Sequence, residues 1–112
     1  MSAPRIAALN DALRRALIGR PDLGRVVLTR AVAALPPSTT YAILQAVRRF
    51  SAFTPDNDPW CEHDCARLEV GGEAIIWKID YYADHTLTAG SEAPADPARC
   101  YRVLTIMLAA DY

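Results

Sequence analysis

The chain has 112 residues, of which 52% are hydrophobic and 22% charged, a composition typical of a globular protein and not of a disordered or collagen-like one. This length accommodates one hydrophobic core, so we predict a single domain over residues 1–112. No apolar run reaches the roughly 18 residues that a membrane span needs, and the N-terminus lacks the apolar segment of a secretory signal. We therefore expect a cytoplasmic protein without membrane association.

The net charge of −1 is unevenly distributed along the chain. Residues 1–50 contain eight basic side chains, all Arg, and two acidic ones, which gives a net charge of +6. Residues 51–112 contain four basic and eleven acidic side chains, which gives −7. One small domain interleaves its halves, so local neutralisation is the first expectation. The alternative is a basic face for nucleic acid or an acidic partner and an acidic face for a basic partner.

Apolar residues at helical spacing predict a first helix over residues 4–18. Ser2 is available as its cap, and Pro4 falls in the first turn, where proline is tolerated. The β-branched run at residues 25–29 then predicts a strand, whereas residues 31–35 fit either a helical turn or a strand end.

A second helix is predicted over residues 39–50, with Ser38 as its cap. Its last turn contains Arg48 and Arg49, where the helix dipole favours cations. The following segment, residues 53–65, has two prolines, an Asn and four acidic residues and therefore predicts a loop.

The stretch ARLEVGGEAIIWKIDYY contains the clearest local signal, a β-hairpin. Its two β-forming runs are separated by Gly71 and Gly72, and a two-residue glycine turn fixes the register of the strands. If the pairing continues beyond the hairpin, this register places His63 opposite Asp80. One face is predicted to pack on the core: Leu68, Val70, Ile75, Trp77 and Ile79.

A third helix is predicted from Pro97 to about Ala110, after a cap at Asp96. Its apolar stripe consists of Cys100, Val103, Leu104, Met107 and Leu108. We therefore predict an α+β fold in which about three helices pack on a small, mainly antiparallel sheet that contains the Gly71-Gly72 hairpin.

Seven phrases of the chain carry a resemblance: LNDALRR, GRVVLTR, VAALP, FTPDNDP, EHD, WKIDYY and DPARCYRVLTIMLAADY. They resemble a family of short bacterial proteins that is defined only as a domain of unknown function and is found among plasmid and integrative-element genes. The resemblance implies no activity that can be carried over residue by residue. It implies Gly and Phe on either side of the EHD phrase, where this chain has Cys61 and Cys65, so these cysteines are poor candidates for a shared site.

The three cysteines predict reduced thiols. Cys61, His63 and Cys65 alternate, so on a strand they would share one face, with Cys100 as a fourth zinc ligand. However, their spacing differs from that of zinc fingers and ribbons, and a free Cys is commonly a small apolar residue. We expect no disulfide framework, no metal site and no cofactor.

Acidic residues are concentrated in residues 56–64, beside one His. They are Asp56, Asp58, Glu62 and Asp64. Converging carboxylates could hold Mg²⁺ or Mn²⁺, and a His63–Asp80 pair could act as a general base with its orienting group. Equally, Asp and Asn beside Pro stabilise turns, and a cross-strand His–Asp pair stabilises a sheet.

We favour a non-enzymatic, protein-binding regulatory module, because the chain has no serine-nucleophile motif and no phosphate-binding glycine loop. The resemblance suggests a protein encoded by a mobile element. Its acidic residues could imitate phosphate and inhibit a nucleic-acid-handling defence complex, as anti-CRISPR proteins do. The expected binding residues are Asp56, Asp58, Glu62, Asp64 and, as a contact anchor, Tyr82.

Two alternatives remain open. The first is a metal-dependent hydrolase or nuclease with Asp56, Asp58, Asp64 and Asp80 as ligands and with His63 as its base. The second is a DNA-binding accessory protein that acts through the Arg-rich first half, although no reading helix is evident. Direct nucleic-acid binding is thus expected less than a protein partner.

Overall fold

A computed structural model describes residues 2–112, which form three α-helices and four β-strands. Helix α1 spans Ala3–Ala16, strand β1 Gly24–Leu28, the single-turn helix α2 Arg30–Ala33, and helix α3 Pro37–Arg49. Strand β2 spans Cys65–Val70, β3 Glu73–Tyr82 and β4 Tyr101–Leu108. Among the described residues, no helix is both long and apolar enough to cross a membrane.

The four strands form one mixed sheet in the order β1-β4-β3-β2. Strand β1 runs parallel to β4, and the two other pairings are antiparallel. The predicted α+β class is therefore confirmed, as is the hairpin. Cys65 faces Lys78 in it, and Gly71 and Gly72 have φ angles of 58° and 83°, which glycine adopts without the steric cost of a Cβ.

The helices cover one face of the sheet, here called the inner face. Buried side chains of the helices, among them Leu13, Ile43 and Val47, pack there against Trp77 and other strand residues in one cluster. The predicted core face of the hairpin lies on this side. Because side chains alternate along a strand, Lys78, Asp80 and Tyr82 point to the opposite, outer face, and none of them belongs to the core cluster.

The predicted C-terminal helix is wrong, because residues 101–108 form strand β4. Directly after Asp96 the chain forms a single 3₁₀ turn, Pro97–Arg99, and the Asp96 side chain accepts the amide hydrogen of Ala98. Strand β4 lies between β1 and β3, so it is covered by neighbours on both edges, and most of its residues are buried. A strand with side chains buried on both faces shows no apolar–polar alternation, and its continuous apolar run also fits a helical stripe.

The remaining differences concern element ends. Ser2 occupies the N-cap position of α1 without a side-chain hydrogen bond. Helix α3 begins at Pro37 with Pro36 at its N-cap position, instead of at residue 39 after a Ser38 cap. The ambiguous residues 31–35 largely belong to the turn of α2.

Gly24 provides a test of the β1–β4 pairing. A Cβ at this position would lie 1.9 Å from the carbonyl oxygen of Arg102, so the two strands would have to separate. We expect Gly24→Ala to lower the free energy of unfolding by about 1–3 kcal/mol or more, measured by urea denaturation. Gly90→Ala is the control, because its Cβ would meet its nearest neighbour at 3.7 Å. Equal losses in the two variants would contradict the pairing.

Candidate functional site

The segment between α3 and β2, residues 50–64, is an ordered loop that we call the acidic loop. The side chain of Asn57 accepts the amide hydrogen of Thr54 at 2.8 Å and donates to the carbonyl of Ala52 at 2.9 Å. Asp58 accepts the amide hydrogen of His63 at 3.2 Å and is only 5% exposed. Asx-type bonds of this kind fix the local backbone, so the loop is shaped by its own side chains.

The His63 ring fastens the acidic loop to α1. Its Nδ1 lies 3.1 Å from both carboxylate oxygens of Asp11, and its Nε2 lies 3.7 Å from Oδ2 of Asp58. The ring also stacks on Phe53, with 3.9 Å between centroids and an interplanar angle of 2°. His63 thus joins two carboxylates and an aromatic ring across the loop and the helix.

The predicted pairing of His63 with Asp80 is wrong. The strand ladder ends where Cys65 faces Lys78, and His63 has a φ angle of 56°. This left-handed conformation turns the chain out of the extended path that the register would require. The carboxylate of Asp80 instead pairs with Lys78.

Glu62 is held by a chain of partly buried hydrogen bonds that ends at β4. The Tyr81 hydroxyl donates to Oε1 of Glu62 at 2.9 Å, and Nδ2 of Asn10 donates to that hydroxyl at 2.9 Å. Nε of Arg102 donates to Oδ1 of Asn10 at 2.6 Å. Burial raises the pKa of Tyr81, so the hydroxyl stays protonated and acts as the donor to Glu62.

Arg14 is a fully buried cation beneath the acidic loop. Its Nη1 donates at 2.9–3.2 Å to three backbone carbonyls at the C-terminal end of α3, those of Val47, Arg48 and Phe50. Its Nη2 donates to Oδ1 of Asp11 at 2.7 Å. Burial lowers the pKa of Arg14 and the Asp11 carboxylate opposes that shift, and a guanidinium remains charged in proteins. Its carbon also lies 5.1 Å from the centroid of the Trp77 ring.

The sequence-predicted binding residues occupy different environments. Asp56 is exposed, Asp58 is buried, and Glu62 and Asp64 are partly buried. Burial and the neighbouring charges of Glu62, Asp58 and Asp80 raise the pKa of Asp64. Tyr82 points to the outer face, away from the side on which Tyr81 contacts Glu62. The structure therefore brings three of the four acidic residues together around Asp64 and leaves Tyr82 apart from them.

Trp60 is the site residue that sequence reasoning missed. Its side chain is 78% exposed, although Trp is highly buried in most proteins. It follows Pro59 in the acidic loop, whereas the second tryptophan, Trp77, fills the core. Its position in the sequence could have indicated this exposure. A Trp inside a polar, proline-containing loop does not lie on a strand or helix face that packs on the core.

The cysteines do not form the alternating face considered from the sequence. Cys61 and His63 have positive φ angles, and β2 begins only at Cys65. Cys61 and Cys65 are exposed thiols, and Cys100 is a buried one. Across residues 2–112, no three His, Cys, Asp or Glu side chains lie together in a way that could hold a metal ion. The hydrolase hypothesis and the catalytic role of His63 and Asp80 stay predictions.

The two charged halves are not neutralised by arginine ion pairs. Within the described residues, no ion pair joins an Arg of residues 1–50 to a carboxylate of residues 51–112. Among the described residues, the pair of titratable side chains within 4.0 Å that crosses the halves is His63 with Asp11. Basic and acidic surfaces therefore coexist on the molecule.

Removal of the Arg14 charge tests the support of the acidic loop. Arg14→Met leaves Asp11 and three carbonyls without their donor, so we expect the free energy of unfolding to fall by about 3–5 kcal/mol. The neighbouring Arg15 has a side chain that is 66% exposed, and Arg15→Met should change stability by no more than about 0.5 kcal/mol. Urea denaturation of both variants gives the comparison, and similar values would contradict a structural role specific to Arg14.

The carboxylate of Asp64 makes the stability depend on pH. Its folded-state pKa is raised above the ordinary value of 3.8, so the folded protein binds this proton more tightly than the unfolded chain. The stabilisation by that proton is complete below pH 3.8 and is lost as the pH rises through the folded pKa. We therefore expect Asp64→Asn to raise Tm at neutral pH and to reduce its dependence on pH.

The matched control for this experiment is Asp56→Asn, because Asp56 is exposed in the same loop. Thermal denaturation at a series of pH values should separate the two variants. A lower Tm for Asp64→Asn at neutral pH, with Asp56→Asn unchanged, would show that the Asp64 carboxylate stabilises the fold.

Comparison with known proteins assigns a family but no activity. The model of a family described as a protein of unknown function, DUF3768, matches residues 28–111, which include the acidic loop and the hairpin and exclude α1. A search of curated proteins finds no match, and a search of solved structures finds none. Because the matched region comprises most of the chain, including the acidic loop and three of the four strands, the protein belongs to the DUF3768 family.

Proposed function

We propose that this protein is a non-enzymatic interaction module that binds a basic partner protein through the acidic loop, with Trp60 as its anchor. The observation that carries the proposal is the 78% exposure of Trp60 on a loop whose backbone is fixed by side-chain hydrogen bonds. Trp is enriched among the residues that dominate the binding energy of interfaces. It combines a large apolar area with one hydrogen-bond donor.

Pre-organisation supports this role for the acidic loop. His63 connects the loop to α1 through Asp11, and Glu62 connects it to β3 through Tyr81. A loop that is ordered before binding loses little conformational entropy on association. More of the interaction energy is then available as affinity.

The charge around Trp60 favours a basic partner. Asp56 is exposed in the acidic loop, and Glu62 and Asp64 retain partial exposure. The raised pKa of Asp64 means that the free protein disfavours the ionised carboxylate. A cation supplied by a partner would stabilise that ionised form. Asp58 contributes by shaping the loop, and Tyr82 lies on the outer face, so neither belongs to the proposed contact surface.

The partner that we propose is a cytoplasmic complex that handles nucleic acid. It is of the kind that defends a cell against mobile genetic elements. Carboxylates along one loop present negative charge to a phosphate-binding surface, as the backbone of a nucleic acid does. The resemblance to proteins of plasmids and integrative elements supports this choice. The interaction needs no cofactor.

Trp60→Ala is the test of the anchor. A tagged protein identifies the partner by capture from host cells, and the purified pair is then measured by isothermal titration calorimetry. We expect Trp60→Ala to weaken Kd by about 30-fold or more, the effect of losing a hot-spot residue of about 2 kcal/mol. Tyr41→Ala, which removes another exposed aromatic ring, 64% accessible on α3, should leave Kd unchanged.

Charge and inhibition are tested with the same pair. Asp56→Asn should lower the association rate, with a larger effect at low salt, because a rim charge acts mainly through electrostatic steering. Nucleic acid should be displaced from the partner when this protein binds. Full affinity of Trp60→Ala would refute the anchor, whereas simultaneous binding of protein and nucleic acid would refute inhibition by imitation of phosphate.

A further inference from the structure

We propose that the surface where α1 meets the C-terminal end of α3 binds the phosphate groups of a single-stranded nucleic acid. Arg15, Arg48 and Arg49 line an open concavity of about 360 Å³ there, together with Phe50 and Ser51. We call these three side chains the arginine cluster. The concavity includes the first two residues of the acidic loop, but the inference does not rest on the proposed function.

The arginine cluster has almost no counter-charge. The carboxylate nearest to Arg15 is that of Asp11, at 3.9 Å, and Asp11 already accepts from Arg14 at 2.7 Å. Arg48 donates only to Gln45, at 3.5 Å. Within residues 2–112, the Arg49 guanidinium takes part in no ion pair or hydrogen bond. Neighbouring like charges repel one another. An anion with two or more negative oxygens would therefore reduce the repulsion among the three guanidinium groups.

The helix end does not account for these arginines. Cations at the C-terminal end of a helix ordinarily interact with its last carbonyls. Here the carbonyls of Val47, Arg48 and Phe50 accept from Arg14, which is buried beneath the surface. The side chains of Arg48 and Arg49 are therefore left exposed to solvent, while Arg14 adds a further positive charge below them.

The chemistry of the cluster selects phosphate as the ligand. A guanidinium presents paired N–H donors that match the oxygens of a phosphate group, and the cluster supplies three of them. The concavity is open and shallow instead of enclosing, which suits successive phosphates of a polymer better than a small metabolite. It lies at a helix end, not along a convex helix face that would enter the groove of a duplex, so we assign it to a single strand.

The experiment measures binding of a fluorescein-labelled oligothymidylate to the full chain by fluorescence anisotropy over a series of salt concentrations. Three phosphate contacts predict a slope of log K against log salt of about −2, at about −0.7 for each contact. We expect Arg48→Gln/Arg49→Gln to weaken binding at least about tenfold at low salt and to make the slope shallower by about 1.4. Both side chains are exposed, and Tm confirms that the variant folds.

The matched control is Arg30→Gln/Arg67→Gln, which removes the same charge from two exposed positions on other elements. It should bind as the unmodified protein does, and so should Trp60→Ala, so that this test and that of the partner surface have separable outcomes. Competition by inorganic pyrophosphate would further support recognition of phosphate.

Three results would overturn the proposal. An equal loss of affinity in the control pair would attribute binding to net charge alone. Failure of the unmodified protein to bind the oligonucleotide at low salt would remove the site. Stabilisation by pyrophosphate that requires Arg48 and Arg49, without binding of the oligonucleotide, would reassign the cluster to free phosphate.

Discussion

The buried guanidinium of Arg14 holds together the parts of the molecule on which both proposed surfaces depend. It donates hydrogen bonds to three carbonyl oxygens at the end of α3 and pairs with Asp11, which in turn contacts His63 of the acidic loop. A buried charge is tolerated only when such partners replace its hydration. The same contact therefore fixes the angle between α1 and α3, the entry of the acidic loop and the exposure of Arg48 and Arg49.

Two surfaces of opposite charge arise next to one another from this arrangement. The acidic loop begins at Phe50, where α3 and the arginine cluster end, and it continues to the carboxylates around Asp64. The local charge thus changes from positive to negative within a few residues, although the net charge of the chain is only −1. The helix that supports both surfaces, α1, lies outside residues 28–111, the region matched by the family model, and contributes Asn10, Asp11 and Arg14 to the contacts beneath them.

Local rules accounted for much of the fold. Gly71 and Gly72 determine a two-residue turn, and turn geometry alone sets the hairpin register that the structure shows. The helical spacing of apolar residues was likewise sufficient to predict α1 and α3. The failure at residues 101–108 has a physical cause: β4 buries side chains on both of its faces, so it lacks the apolar–polar alternation of a strand with one exposed face. The pairing partners that make it a strand are distant in the sequence: Gly24 and its neighbours in β1, and residues 75–82 in β3.

The sequence by itself determined the α+β class, the hairpin and the concentration of acidic residues in one loop, because these features depend on composition and on residues only a few positions apart. Only the tertiary structure decided which side chains are available. In the folded protein Asp58 and Arg14 are buried and Trp60 is exposed. His63 contacts Asp11 instead of Asp80. Exposure and partners of this kind are set by packing between elements that lie far apart along the chain, such as α1 and the acidic loop. No local pattern encodes the distance between them.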